Sequence, residues 1–167
     1  MCYNGGELWK KEEGDKMARQ LQSEALRCEW HRGKEGAEDG FALRMEVFTC
    51  EQDFPAEIEV DEVDDTAYHL IVRRSGEAVA VCRLFPGEEA GQYVVGRVCV
   101  KKSCRGQKLG LLLMEETERK ARERGAHSLL LHAQVQVAGF YEAAGFTSQG
   151  EAFTEDGWPH VRMVKTW

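Results

Sequence analysis

Proline is scarce in this 167-residue chain, at three residues. No low-complexity or repeated segment is present, which excludes a collagen-like fibre, a mucin-like stalk and a disordered tail. Long apolar runs are missing too, and nothing approaches the roughly 18–20 residues that cross a bilayer. The stretch from Met1 to Asp15 lacks the apolar centre of a secretory signal. These absences predict a cytoplasmic protein with no membrane partner. None of the six cysteines makes a C-x-x-C pair, and their spacings suggest no zinc site. Reduced, mostly buried thiols are expected, with Cys104 beside Arg105 the one placed to favour a thiolate.

What remains is an ordinary globular composition, 43% hydrophobic and 31% charged, in about one domain's length of chain. Acidic residues outnumber basic ones by 29 to 22, a net charge of -7. That balance argues against a nucleic-acid partner, because non-specific affinity for phosphates comes from Lys and Arg displacing counterions. Two runs stand out against the average. Glu57, Glu59, Asp61, Glu62, Asp64 and Asp65 form an acidic one, and Lys101, Lys102, Arg105 and Lys108 a basic one.

Local patterns divide the chain into alternating elements. Residues 1–23 are polar and weakly periodic, an extension ahead of a single domain over 24–167. A strand opens near Leu26–Trp30. Phe41, Met45 and Phe48 lie at helical spacing within Gly36–Gln52, and Pro55 ends that helix. Ala67–Arg73 and Glu77–Phe85 flank a Ser75-Gly76 turn, the signature of a hairpin. Gln92–Val100 is a valine-rich strand. Leu109, Leu112, Leu113 and Ala121 then define a helix capped by Gly125. Ser128–Ala133 reads as a strand buried on both faces, which makes His132 structural. A short helix over Val137–Ala144 precedes two strands around Asp156-Gly157. One α+β domain follows.

The segment from Val94 to Gly125 carries the chemistry. A turn that feeds a helix N-terminus collects unpaired N–H groups and attracts anions. Here it also holds Gly106, Gly110 and four cations within eight residues. Phosphate is the ligand this combination predicts. The residues after Gly110 are leucines, so no P-loop is present. Two glycines four apart do not make a dinucleotide fingerprint.

Val98-Cys-Val-Lys-Lys-Ser-Cys-Arg-Gly-Gln-Lys-Leu-Gly110 resembles the acetyl-coenzyme-A-binding motif of the GNAT N-acetyltransferase superfamily, R-G-x-G-x-G. Phe140-Tyr-Glu-Ala-Ala-Gly-Phe146 is similar to its second motif. Arg44 to Pro55, Ala133-Gln134 and Glu155 to His160 resemble the ElaA-like/YjcF-like branch. Lys108 departs from the pattern at the middle glycine, and Gln134 stands where many members carry asparagine.

The resemblance implies a GNAT-like fold: a central mixed, mostly antiparallel sheet of six to seven strands flanked by about four helices. It implies an enzyme that moves an acetyl group from acetyl-CoA to a primary amine, small or lysine-like, within a ternary complex. A homodimer is compatible with it. The fourth and fifth strands would splay, with pantetheine held along Val98, Cys99 and Val100. The pyrophosphate would rest on Arg105, Gly106, Gln107, Lys108, Leu109 and Gly110, with Gln134, Phe140 and Tyr141 completing the cofactor site. Tyr141 matches the residue that protonates the leaving thiolate. Relatives often place a glutamate where Gly96 stands, so the base stays open between Glu51, His69 and a glutamate of the acidic loop. That loop is expected to border the acceptor entrance and to favour a cation. The alternative function is a catalytically silent acyl-CoA-binding domain.

Overall fold

The computed structural model describes residues 25–167; the extension expected over 1–23 lies outside them. The chain runs β1 (Arg27–Arg32), α1 (Glu38–Arg44), β2 (Tyr68–Arg74), β3 (Glu77–Pro86), β4 (Gln92–Val100), α2 (Leu109–Glu123), β5 (Ser128–Gln134), α3 (Ala138–Ala143), β6 (Thr147–Glu155) and β7 (Trp158–Thr166). All seven strands form one sheet in the order β1-β2-β3-β4-β5-β7-β6. Only β4 and β5 pair in parallel, joined by the α2 crossover, and every other neighbour is antiparallel. The expected α+β architecture is therefore present. Three α-helices are described rather than four, and the first continues as a π-helical stretch, Met45–Glu51.

Local chemistry explains most boundaries. The β2–β3 turn holds Ser75 at φ +50° and Gly76 at +84°, and the β6–β7 turn holds Asp156 at +51° and Gly157 at +83°. Both are the paired left-handed residues that match the twist of a tight hairpin. α2 buries Leu109, Leu113, Met114, Thr117 and Ala121. Its outer face is laced by Arg119 with Glu116 and Glu123, and by Arg122 with Glu118.

The two faces of the sheet are covered unequally, and this positions the site. On one face α2 and α3 enclose the larger core, built on Leu70, Cys82, Leu84, Val95, Leu113, Leu129, Leu131, Tyr141, Phe146 and Met163. On the other, α1 and its π-helical continuation cover only the β2–β4 half, packing Leu43 and Val47 onto Ile71, Val81 and Cys99. No described helix covers that second face over β5, β7 and β6. Among the described residues no helix is long and apolar enough to cross a membrane.

Candidate active site

β4 and β5 stay paired for three residues only. Gln92, Tyr93 and Val94 match Ser128, Leu129 and Leu130, and the register ends there. Beyond that point Val95–Val100 and Leu131–Gln134 diverge as two arms of a gap in the middle of the sheet. The β4 arm also bulges. Val81 pairs with Cys99 and Arg83 with Gly96, so Cys82 alone faces both Arg97 and Val98. Arg97 takes φ +51° to make the extra step. Bulges of this type re-aim backbone groups and side chains next to functional sites.

The gap opens into a cleft of about 850 Å³, lined among others by Val94–Val98, Leu131, His132, Gln134 and Tyr141. The basic turn stands at the far end of the β4 arm. No side chain caps α2, and the N–H groups of Lys108 to Leu111 find no acceptor among the described residues. Lys108 adopts φ +62° and ψ 14° at the helix start, a conformation that costs an L-residue about 1–2 kcal/mol and suits glycine. A Cβ on Gly110 would stand 3.0 Å from the Phe140 ring, so the glycine lets α3 set this aromatic close against the turn. Arg105 reaches back to the Val100 carbonyl through Nε at 3.1 Å and to Glu51 at 2.8 Å, while Gln107 accepts from Arg74 at 2.7 Å.

Tyr141 projects from α3 toward the cleft. Its ring packs edge-on against Phe140 and Phe146, at 4.9 and 6.0 Å, and its hydroxyl has no partner among the described residues. Burial pushes the phenol well above its ordinary pKa, so it keeps its proton at neutral pH. Gln134 donates to Gln52 at 3.2 Å and ties the β5 arm to the end of the π-helical stretch.

Glu51 and His69, the two named candidates for the base, do not line the cleft. The Glu51 carboxylate is taken by Arg105. His69 is buried at 1% exposure, with Nε2 3.2 Å from the Asp64 carbonyl and its ring edge-on to Phe41. Burial lowers its pKa and keeps it neutral. Cys104 is likewise buried, which removes the reason to treat it as exposed and reactive.

The acidic loop also differs from the expectation of an open anionic mouth. Arg44, on α1 and 0% exposed, bonds Glu59 at 2.6 Å and Asp64 at 2.9 and 3.1 Å. Arg83 of β3 bonds Asp61 at 2.7 Å and Asp64 at 3.0 Å, and Arg97 approaches Glu59 at 3.2 Å. Three carboxylates of the run are thus neutralised by the molecule's own arginines, strapping the loop to α1, β3 and β4. Only Ile58 and Glu59 of it reach the cleft.

The acidic groups lining the cleft away from this strap are Glu88 and Glu89 of the β3–β4 loop, Glu155 and Asp156. Phe48, Phe54 and Phe85 line it with them. Sequence reading passed over His132 as part of a doubly buried strand. In the structure its side chain is 40% exposed, on the bare face, with Nδ1 3.0 Å from a Glu155 oxygen. The signal lies in its position: its β7 register partner is Arg162, a charged residue on the same face of the sheet.

The described site fits an acyl-coenzyme-A ligand. An open strand gap accommodates an extended chain, and unsatisfied helix-start N–H groups with nearby cations accommodate a diphosphate. Known proteins agree with this architecture. The acetyltransferase (GNAT) domain family matches residues 32–167. The uncharacterised N-acetyltransferase YjcF of Bacillus subtilis is 34% identical over 135 residues, covering 80% of this chain and 95% of the relative. ElaA of Escherichia coli is 32% identical over 126 residues, 74% of this chain and 82% of that protein. The crystal structure of an acyl-CoA N-acyltransferase from Pseudomonas aeruginosa superimposes with a TM-score of 0.75 at 31% identity, covering 85% of this chain and all of that one.

Proposed function

We propose that this chain, which belongs to the GNAT acetyltransferase family, moves an acetyl group from acetyl-coenzyme A to a primary amine by direct attack within a ternary complex. The bound thioester supplies an activated acyl carbon and a thiolate leaving group. The observation that carries the reading is one continuous path: the turn's unsatisfied N–H groups, then the β4/β5 gap, then Tyr141, and finally the bare-face cleft.

Each segment of that path has a task. Lys108 to Gly110 offer N–H groups and the positive end of α2 to a diphosphate. Arg105 adds charge once it leaves Glu51. The β4 arm around the Arg97–Val98 bulge offers backbone groups to an extended chain, with Val98 better placed than Val100, whose carbonyl already accepts from Arg105. Phe140 and Gln134 flank this track. Tyr141 keeps its proton, since burial disfavours its phenolate, and offers it to a departing thiolate sulfur. The acceptor enters from the bare face, where the phenylalanines suit an apolar body and the cleft's carboxylates suit an ammonium group. An alkylamine with an apolar body is the substrate class this lining favours. A cytoplasmic location agrees with the free cysteines.

The test pairs binding with turnover. Acetyl-coenzyme A at a hundredfold its dissociation constant should stabilise the folded chain by about 2.7 kcal/mol, seen as a rise in melting temperature that ATP and NAD do not produce. Tyr141→Phe should keep that shift and lose about a hundredfold in thiol release with an accepted amine. Equal turnover in the variant would remove Tyr141 from the reaction.

A further inference from the structure

We propose that His132 and Glu155 form the unit that takes the proton from the acceptor amine, an inference that rests on the acetyl-transfer reading above. Along the β4 arm, Val95 to Val100, there is no carboxylate or imidazole; along the β5 arm, Leu131 to Gln134, there is one, His132. It stands two residues past the point where the strands part, on the face from which an acceptor reaches the gap.

The geometry sets the ring's state. Nδ1 lies 3.0 Å from Glu155 Oε2. An ionised carboxylate only accepts hydrogen bonds, so Nδ1 carries the hydrogen and the neutral ring keeps its lone pair on Nε2. That nitrogen has no partner among the described residues. Phe153 meets the ring edge-on at 4.9 Å and holds its plane. A carboxylate behind an imidazole selects the tautomer and stabilises the imidazolium that forms.

The other titratable groups of the cleft are less suited. Glu59 is engaged by Arg44 and Arg97. His160 hydrogen-bonds the Trp158 carbonyl at 2.9 Å from β7, one strand removed from the gap. Glu88 and Glu89 sit on the β3–β4 loop and Asp156 in the hairpin turn. The charged groups around His132 are Glu155 of β6 and Arg162 of β7, with His160 of β7 beyond them and Arg83 and Arg97 already paired across the cleft.

The step balances. An alkylammonium gives one N–H proton to His132 Nε2, and the freed lone pair forms the C–N bond at the thioester carbonyl. The tetrahedral adduct collapses with cleavage of the C–S bond. Of the two protons the nitrogen loses overall, one ends on the thiol and the other passes from the imidazolium to water. His132 is the catalytic base, and Glu155 is a positioning residue that acts through it.

Thiol release from acetyl-coenzyme A by the full chain, with benzylamine, tryptamine, spermidine and Nα-acetyl-lysine as probes, tests this. His132→Gln should lose about a hundredfold or more in kcat, while its KM for acetyl-coenzyme A changes less than twofold. Free imidazole should restore turnover to His132→Ala but not to Tyr141→Phe. Glu155→Gln should lower kcat about tenfold at unchanged KM. An acceptor already neutral at pH 7, such as an arylhydrazine, should be far less sensitive to His132→Gln than benzylamine. Wild-type turnover in His132→Gln, or a loss carried by His160→Gln instead, overturns the assignment. A wild-type chain that binds coenzyme A yet releases no thiol with any probe overturns the transferase reading itself, a different result.

Discussion

The acidic run over 57–65 and the basic run over 101–108 look alike in the sequence, each a cluster of one sign, and the fold treats them oppositely. Arg44, Arg83 and Arg97 come from α1, β3 and β4 to consume Glu59, Asp61 and Asp64. The basic turn receives less from the rest of the molecule. Lys101 meets Glu77 and Arg105 meets Glu51, both at the surface, and the N–H groups at the start of α2 meet no acceptor among the described residues. A charged run whose partners are folded in is a clamp. One whose donors stay unsatisfied remains open to a ligand, the role proposed for it here.

Removing a partner from the clamp gives the largest expected effect. Arg44→Ala leaves Glu59 and Asp64 buried without their shared guanidinium, and breaking a buried pair in this way destabilises by about 3–5 kcal/mol. Urea unfolding should show that loss, whereas Lys102→Ala on the turn should stay within about 0.5 kcal/mol. Equal losses at the two sites would erase the distinction.

Acid should separate them next. Burial opposes ionisation of Asp64, yet hydrogen bonds from Arg44 and the Asp61 N–H, with the charges of Arg44 and Arg83, outweigh it and hold the carboxyl well below its usual range. Asp61 is lowered as well, with burial again outweighed by Arg83. Because the folded pKa lies below the unfolded value of about 3.9, this stabilisation is complete above that value and is lost as pH falls toward the folded one. Melting temperature should therefore drop steeply below about pH 4, and more shallowly in Arg44→Ala.

The turn should respond through binding rather than stability. Arg105→Ala is expected to weaken coenzyme A by about tenfold, the scale of one charge-assisted contact, with melting unchanged. Glu51→Gln frees the same guanidinium and should tighten binding two- to threefold, on the order of an exposed ion pair's strength. Calorimetry on both variants checks the pair, and opposite signs are required. The smallest effect is expected at Lys108. Glycine there relieves the left-handed backbone but adds freedom to the unfolded chain, so stability and affinity should both stay near wild type. A large loss of affinity would mean that the lysine charge, not the backbone N–H, carries the site.

Much of the fold was legible because its causes are local. The valines of β4, the leucine stripe of α2 and the two left-handed hairpin turns each act within a few residues, and their positions matched to within two or three. The pattern from Val98 to Gly110 was readable for the same reason, since a glycine-containing turn ahead of a helix leaves N–H groups unsatisfied without help from elsewhere. His132 was misread because the run Ser128–Ala133 is apolar around it, and periodicity within one strand says nothing about whether a helix covers each face. The bulge at Arg97 was invisible in the same way, because it exists only in register with Cys82 of a neighbouring strand.

By itself, the order of residues determined which segments become strands and helices, and that one helix would begin on a cationic turn with unsatisfied N–H groups. These are consequences of short-range sterics and of N–H groups that a helix start cannot satisfy internally. Tertiary structure alone decided which charges are spent, which face of β5 stays open, and that His132 meets a carboxylate 23 residues further along the chain. Such contacts depend on the packing of distant elements, where burial and competition for partners, rather than local preference, set the outcome.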